Sequence, residues 1–122
     1  MNERAAIRYR GRRLPTGCII KRQDLTIPGR RSWSKLSPLK SLRLRSHSPD
    51  GFESGYGGSG PAQTALALML DYTRDRKAAL ALYQDFKFKI VANLTDDWEL
   101  SGDQISEAIK AIRADRAAES MK

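Results

Sequence analysis

Three groups of residues in this sequence have types and spacings that could do chemistry. Gly55-Tyr56-Gly57-Gly58-Ser59-Gly60-Pro61 satisfies the GxGxxG spacing of dinucleotide-binding loops and leads into an apolar stretch of helical period. In such a loop glycines let backbone amides approach a phosphate. Gly57, Gly58, Ser59 and Gly60 therefore form a candidate anion-binding loop, with free N–H groups at the start of a helix at Pro61. Gln63, three residues past Gly60, could instead fold back and cap that end. The second group is basic: Arg8, Arg10, Arg12, Arg13, Arg30, Arg31, Arg43 and Arg45, with Trp33 among them. Guanidinium groups neutralise phosphates and an indole stacks on bases. This set suits contact with a nucleic-acid backbone more than reading of base sequence. The third group is His47, beside Ser48 and near Asp50. A nucleophilic relay needs its base between nucleophile and orienting acid in space, which neighbours in one turn do not provide. His47 reads as a turn residue with local hydrogen bonds, and no catalytic residue is assigned.

Cofactors and metals fare no better. A dinucleotide fold needs a parallel βαβ unit and an acid about twenty residues on, whereas Asp75 falls at a helix boundary and another helix follows. No lysine stands where a Walker loop would place one. The competing role for the glycines is structural: a sharp junction into a helix, packed close to a sheet. Cys18 and His47 leave too few soft ligands for zinc. Asp96, Asp97 and Glu99 could face a hard cation, but acids before a helix start read as a solvated loop that offsets the helix dipole. No cofactor and no enzymatic activity are expected.

The elements that must position these residues follow from periodicity. Ile7 and Tyr9 alternate with Arg8 and Arg10 as in a half-buried strand, Gly11 marks a break, and Pro15-Thr16-Gly17 turns the chain into a second strand, Cys18 to Ile20. Cys18 reads as a small core residue. Residues 28–40 form a loop anchored by Trp33, Leu36 and Leu39. Leu42 and Leu44 alternate with Arg43 and Arg45, Ser48-Pro49-Asp50-Gly51 turns, and Phe52 and Tyr56 resume, as in a second hairpin or a strand with a tight return. From Pro61 the residues Ala62, Ala65, Leu66, Met69 and Leu70 predict a helix that is apolar almost all round. Ala79, Leu82, Tyr83, Phe86, Ile90 and Leu94 predict a second helix, with an Asp85 to Lys89 pair on its surface. Ser101 with Gln104 form a capping box, Leu100 with Ile105 a hydrophobic staple, and Ala108, Ile109 and Ile112 continue the third helical face.

The fold class expected is α+β: a small antiparallel sheet from residues 5–56 packed against three helices at 61–73, 76–94 and 102–116, with 117–122 frayed. At 122 residues the chain has the length of a single domain. No apolar run is long enough for a membrane span and no signal peptide opens the chain, so a cytoplasmic protein is expected. The formal charge of +8 is uneven: residues 1–50 hold 13 Lys+Arg against 3 Asp+Glu, and residues 51–122 hold 9 against 11. The positive field belongs to the front of the chain and speaks to partners rather than to fold.

The segments Ser48-Pro49-Asp50-Gly51-Phe52-Glu53, GYGGSGPAQ from Gly55 to Gln63, and Tyr83-Gln84-Asp85-Phe86-Lys87 carry a resemblance. From Arg8 to about Ile105 the chain resembles a domain-of-unknown-function family of phages, plasmids and other prokaryotic mobile elements, whose members carry an aromatic residue where this chain has Ser54. The resemblance implies a mobile-element accessory in a prokaryotic host cell, and no particular chemistry. The expectation is non-enzymatic binding of nucleic acid or a nucleoprotein complex by the basic front. The alternatives are inhibition of a host defence complex through a protein surface, as anti-CRISPR proteins act, and nucleotide binding by the glycine loop.

Overall fold

The computed structural model describes residues 6–46 and 51–121, so the turn at Ser48-Pro49-Asp50 and the reading of His47 lie outside the described residues. The first two strands, β1 (Ile7–Leu14) and β2 (Gly17–Asp24), form an antiparallel hairpin in which Leu14 pairs with Gly17 across Pro15-Thr16. Gly17 closes the turn at φ 127°, a left-handed conformation that glycine adopts without a Cβ penalty. Ile7, Tyr9, Cys18 and Ile20 point inward and are buried, while Arg8, Arg10 and Arg12 point outward and are exposed. A two-residue β3 (Ser34–Lys35) pairs with β2 inside the segment expected to be loop alone.

Residues expected to make a strand around Leu42 and Leu44 instead form the short helix α1 (Leu39–Leu44). Its first turn is held by Ser41, whose hydroxyl donates to the Pro38 carbonyl at 2.9 Å and accepts from the Gln63 side chain at 3.0 Å. Four alternating residues do not separate a strand from one helical turn, and this tertiary bond favours the helix. Phe52 makes a single bridge to Cys18 rather than a second hairpin.

Helix α2 (Ser59–Thr73) starts two residues before the expected Pro61, and most of its length is buried, as its apolar circumference requires. Arg74 ends it in the left-handed region at φ 55°. Helix α3 (Arg76–Lys89) is capped by Asp75, whose carboxylate accepts from the amides of Lys77 and Ala78. Its buried stripe is Ala79, Leu82, Tyr83 and Phe86, but it stops at Lys89 rather than 94. There the Asn93 side-chain Nδ2 donates to the Phe88 and Lys89 carbonyls, both at 3.3 Å, and a 3-10 turn follows at Val91–Asn93.

Of the acids expected in a loop, Asp96 stays in one, but Asp97 and Glu99 lie in β4 (Asp97–Ser101), antiparallel to β1, which completes a sheet of order β3-β2-β1-β4. Trp98 and Leu100 face the core, and Asp97 and Glu99 face out. Gly11, expected as a break, continues β1 because it sits directly opposite Trp98, whose indole lies over its Cα. Helix α4 (Gly102–Ser120) opens with the expected capping box. It runs through residues expected to fray, because Arg116 binds the Asp85 carboxylate at 2.8 Å and the Ala81 carbonyl. The expected Asp85 to Lys89 pair is therefore replaced by two links to α4, Asp85 with Arg116 and Lys89 with Asp115. Helices cover one face of the sheet, and the outward strand residues stay exposed. No helix among the described residues is long and apolar enough to cross a membrane.

One polar link joins the layers. The Asp71 carboxylate on α2 accepts from the Tyr9 hydroxyl at 2.5 Å and from Arg22 Nε at 2.9 Å. Burial, then the Asp71 charge, push the Tyr9 hydroxyl well above its ordinary range. The folded state thus keeps a proton that the unfolded chain releases near pH 10, so stability is full below that pH and falls as pH rises past it, by about 1.4 kcal/mol per unit. Tyr9→Phe should cost about 1.5 to 3 kcal/mol at neutral pH and flatten that alkaline decline, which denaturant midpoints at pH 8 to 11 would check.

Candidate nucleic-acid interface

Strand geometry makes the outward face of the sheet a charged surface. Arg8, Arg10 and Arg12 project from alternate positions of β1, about 6.8 Å apart along the strand. A second row runs across the strands: Glu99, Arg10, Lys21 and Lys35 are successive cross-strand partners from β4 to β3. Three cations are thus directly opposed in neighbouring pairs, an arrangement that costs rather than contributes stability. The Arg10 guanidinium lies 4.2 Å from the centre of the Trp33 ring, which fixes a planar cation on the open side.

Acids neutralise part of this field. Glu99 lies 3.8 Å from Arg8 and Asp97 3.8 Å from Arg12, all well exposed, so each pair contributes about 0 to 1 kcal/mol. Arg10, Lys21 and Lys35 make no ion pair with any described carboxylate. Between the strands, Arg10, Arg12, Lys21 and the two acids line a groove of about 600 Å³ with Leu14 and Ile19.

Of the arginines expected to act together, the structure gathers Arg8, Arg10 and Arg12, with Trp33, on this face. Arg30 and Arg31 belong to the β2–β3 loop beside it, where the Gln23 amide donates to the Arg31 carbonyl at 2.7 Å. Arg13 turns away: it lies 3.4 Å from Glu53 and 3.9 Å from Asp96, with the Tyr56 ring 6.0 Å off. Arg43 is on α1 and Arg45 caps it, both in the helical layer and not on a strand, and Arg45 donates to the Tyr83 hydroxyl at 3.3 Å. The expected single cluster is therefore divided. Lys21, Lys35, Asp97 and Glu99 were not among the expected site residues. Lys21 could have been found by continuing the outward phase of β2, and the β4 acids by the alternation Asp97-Trp98-Glu99-Leu100.

In the glycine loop, neighbouring side chains pack against two of the glycines. A Cβ on Gly58 would stand 2.6 Å from the Tyr56 ring, and one on Gly60 2.6 Å from the Glu53 side chain. Gln63 does not fold back to cap α2, since its amide donates to Ser41 in the interior and no side chain caps that end. Thr64 instead clamps the incoming chain, its hydroxyl bonded to the Glu53 carbonyl at 2.6 Å and amide at 2.9 Å. Ser54 is buried, with no hydrogen-bond partner for its hydroxyl among the described residues. Cys18 is buried and its thiol is pushed up by that burial. No group of three or more potential metal ligands occurs among the described residues.

Strand order and one-sided helical cover define a two-layer α+β protein whose sheet presents a charged open face. The chain belongs to a family of unknown function (DUF6166), whose model matches residues 9–111, most of its length. No curated protein and no solved structure matches it.

Proposed function

We propose that this protein binds nucleic acid, without catalysis, on the open face of its sheet. The row Arg10-Lys21-Lys35 carries this reading: like charges set directly opposite one another cost stability, and a polyanion lying across them removes that cost. Arg8 and Arg12 extend the row along β1, and the Arg10 plane held on Trp33 offers a stacking surface for an unpaired base. Phosphate contacts of this kind position a strand and tolerate any sequence. We place this activity in a mobile-element accessory of a prokaryotic cell, a reading supported by the family resemblance of the segments around Phe52, Gly60 and Phe86.

Fluorescence anisotropy with a mixed-sequence single strand tests the proposal. Affinity should fall with salt at a log-log slope of about −2 to −3.5, for three to five phosphates at about −0.7 each. Absence of binding at about 50 mM salt rejects it, and a stoichiometric complex with an acidic protein that survives nuclease would favour a protein partner instead. The β4 acids give the reading a direction. Asp97→Asn with Glu99→Gln frees Arg12 and Arg8, and affinity should rise about threefold to tenfold, from up to about 1 kcal/mol for each released pair. Unchanged or weaker binding would place the contact on another surface.

A further inference from the structure

We infer that a second cationic pocket, on the helical side of the sheet, binds a ligand carrying two or more linked phosphates. It is built by four elements: Arg22 of β2, Lys40 and Arg43 of α1, Asp71 of α2, Arg74 at the cap that follows and Arg76 opening α3. Leu44 and Leu70 complete a cavity of about 650 Å³, within the range of small-molecule sites.

The charges do not balance within the pocket. Asp71 is already occupied, since Tyr9 and Arg22 both donate to it. The Asp24 carboxyl is held below the usual range chiefly by a hydrogen bond from the Thr26 hydroxyl, with the Thr26 amide donating to the same oxygen and the charges of Arg22 and Arg74 adding less. No described carboxylate lies within ion-pair distance of Lys40, Arg43, Arg74 or Arg76. Four cations converge from elements that folding must bring together, and their mutual repulsion calls for an anion.

The backbone points the same way. Arg74 is the one non-glycine residue at positive φ among those described, at φ 55°. Glycine or asparagine occupies such caps at least cost, so an arginine there retains its side chain against local strain. A single phosphate would leave most of four cations and the cavity volume unused, whereas a di- or triphosphate spans both. The lining has no aromatic ring and no amide side chain to read a base, so recognition rests on the phosphate chain.

Binding of inorganic tripolyphosphate, measured by calorimetry and thermal shift at about 50 mM salt, tests the inference on three variants. The parent should bind it more tightly than orthophosphate by at least tenfold. Arg43→Glu with Arg76→Glu, both exposed positions, should lose at least tenfold. Arg74→Gly should lose about fivefold while its melting temperature stays level or rises, a combination that a purely structural arginine would not give. Arg10→Glu with Lys21→Glu on the open sheet face should bind within threefold of the parent. A nucleoside triphosphate is the remaining arm: its affinity relative to tripolyphosphate tells a nucleotide from a free condensed phosphate, and either upholds the site. The inference is overturned if tripolyphosphate does not bind, if it matches orthophosphate, if Arg74→Gly binds unchanged, or if only the sheet-face variant loses binding. The first three of these outcomes leave nucleic-acid binding by the sheet untouched, and the last would move the polyanion contact onto the sheet.

Discussion

Replacing Arg8, Arg10 and Arg12 together with glutamate is expected to lower affinity for single-stranded nucleic acid by at least about 100-fold at low salt. The magnitude follows from three exposed phosphate contacts at about 1 kcal/mol each, or about 3 kcal/mol in all, before any repulsion from the new carboxylates is counted. The fold should tolerate the change. Glutamates at positions 8 and 12 would face Glu99 and Asp97 and lose two weak pairs, while a glutamate at position 10 would relieve a like-charge contact with Lys21 and make one with Glu99, all at exposed positions where each term is small. Melting temperature should move by only a few degrees while binding disappears. The same change made at Arg113 and Lys110, exposed on α4, should cost no more than the general loss of net charge, and equal losses at both places would mean that charge alone is measured.

Gly11→Ala is expected to be the most damaging small substitution in the sheet, at about 3 kcal/mol. Its Cβ would overlap the Trp98 indole, which covers the glycine across the β1–β4 pair, so the buried ring must leave its site or the strands must part. Overpacking typically costs about 1 to 3 kcal/mol, and complete loss of a buried tryptophan about 3 to 5. Trp98 also anchors the strand that holds Asp97 and Glu99 beside the arginines, so the substitution reaches the binding face through β4. Chemical denaturation with a fixed m-value would measure it, and Gly11→Ala paired with Trp98→Leu should recover part of the loss. A glycine that merely interrupts a strand would accept alanine at little cost.

The elements legible in the sequence are those whose pattern is long or chemically marked. The β1–β2 hairpin is spelled by alternation on either side of Pro15-Thr16-Gly17, α2 by its apolar run, and α4 by Ser101 and Gln104 at its start. What was hidden depended on partners distant in the chain. Leu42-Arg43-Leu44-Arg45 has the period of a strand over four residues, and the helix it forms is held in part by the bond between Ser41 and the distant Gln63. The acids of β4 look like a solvated loop until the alternation of Trp98 and Leu100 is given a neighbouring strand to pair with. The tail of α4 is secured by Arg116 on Asp85, thirty-one residues away. For the site, the arginines of β1 could be placed from phase alone. That Lys21 and Lys35 would line up with Arg10, and that Arg43 would join Arg22, Arg74 and Arg76 in another pocket, follows from register and helix docking.

Backbone amide resonances recorded with and without a short single-stranded oligonucleotide test most directly where the polyanion lies. The shifts should concentrate on residues 8–12, 19–23, 33–35 and 97–99, fade together as salt is raised, and leave the exposed side of α4 at Lys110 and Arg113 unmoved. Changes spread evenly over every basic residue, or centred on α4 while β1 and β2 stay still, would contradict the assignment of the open sheet face.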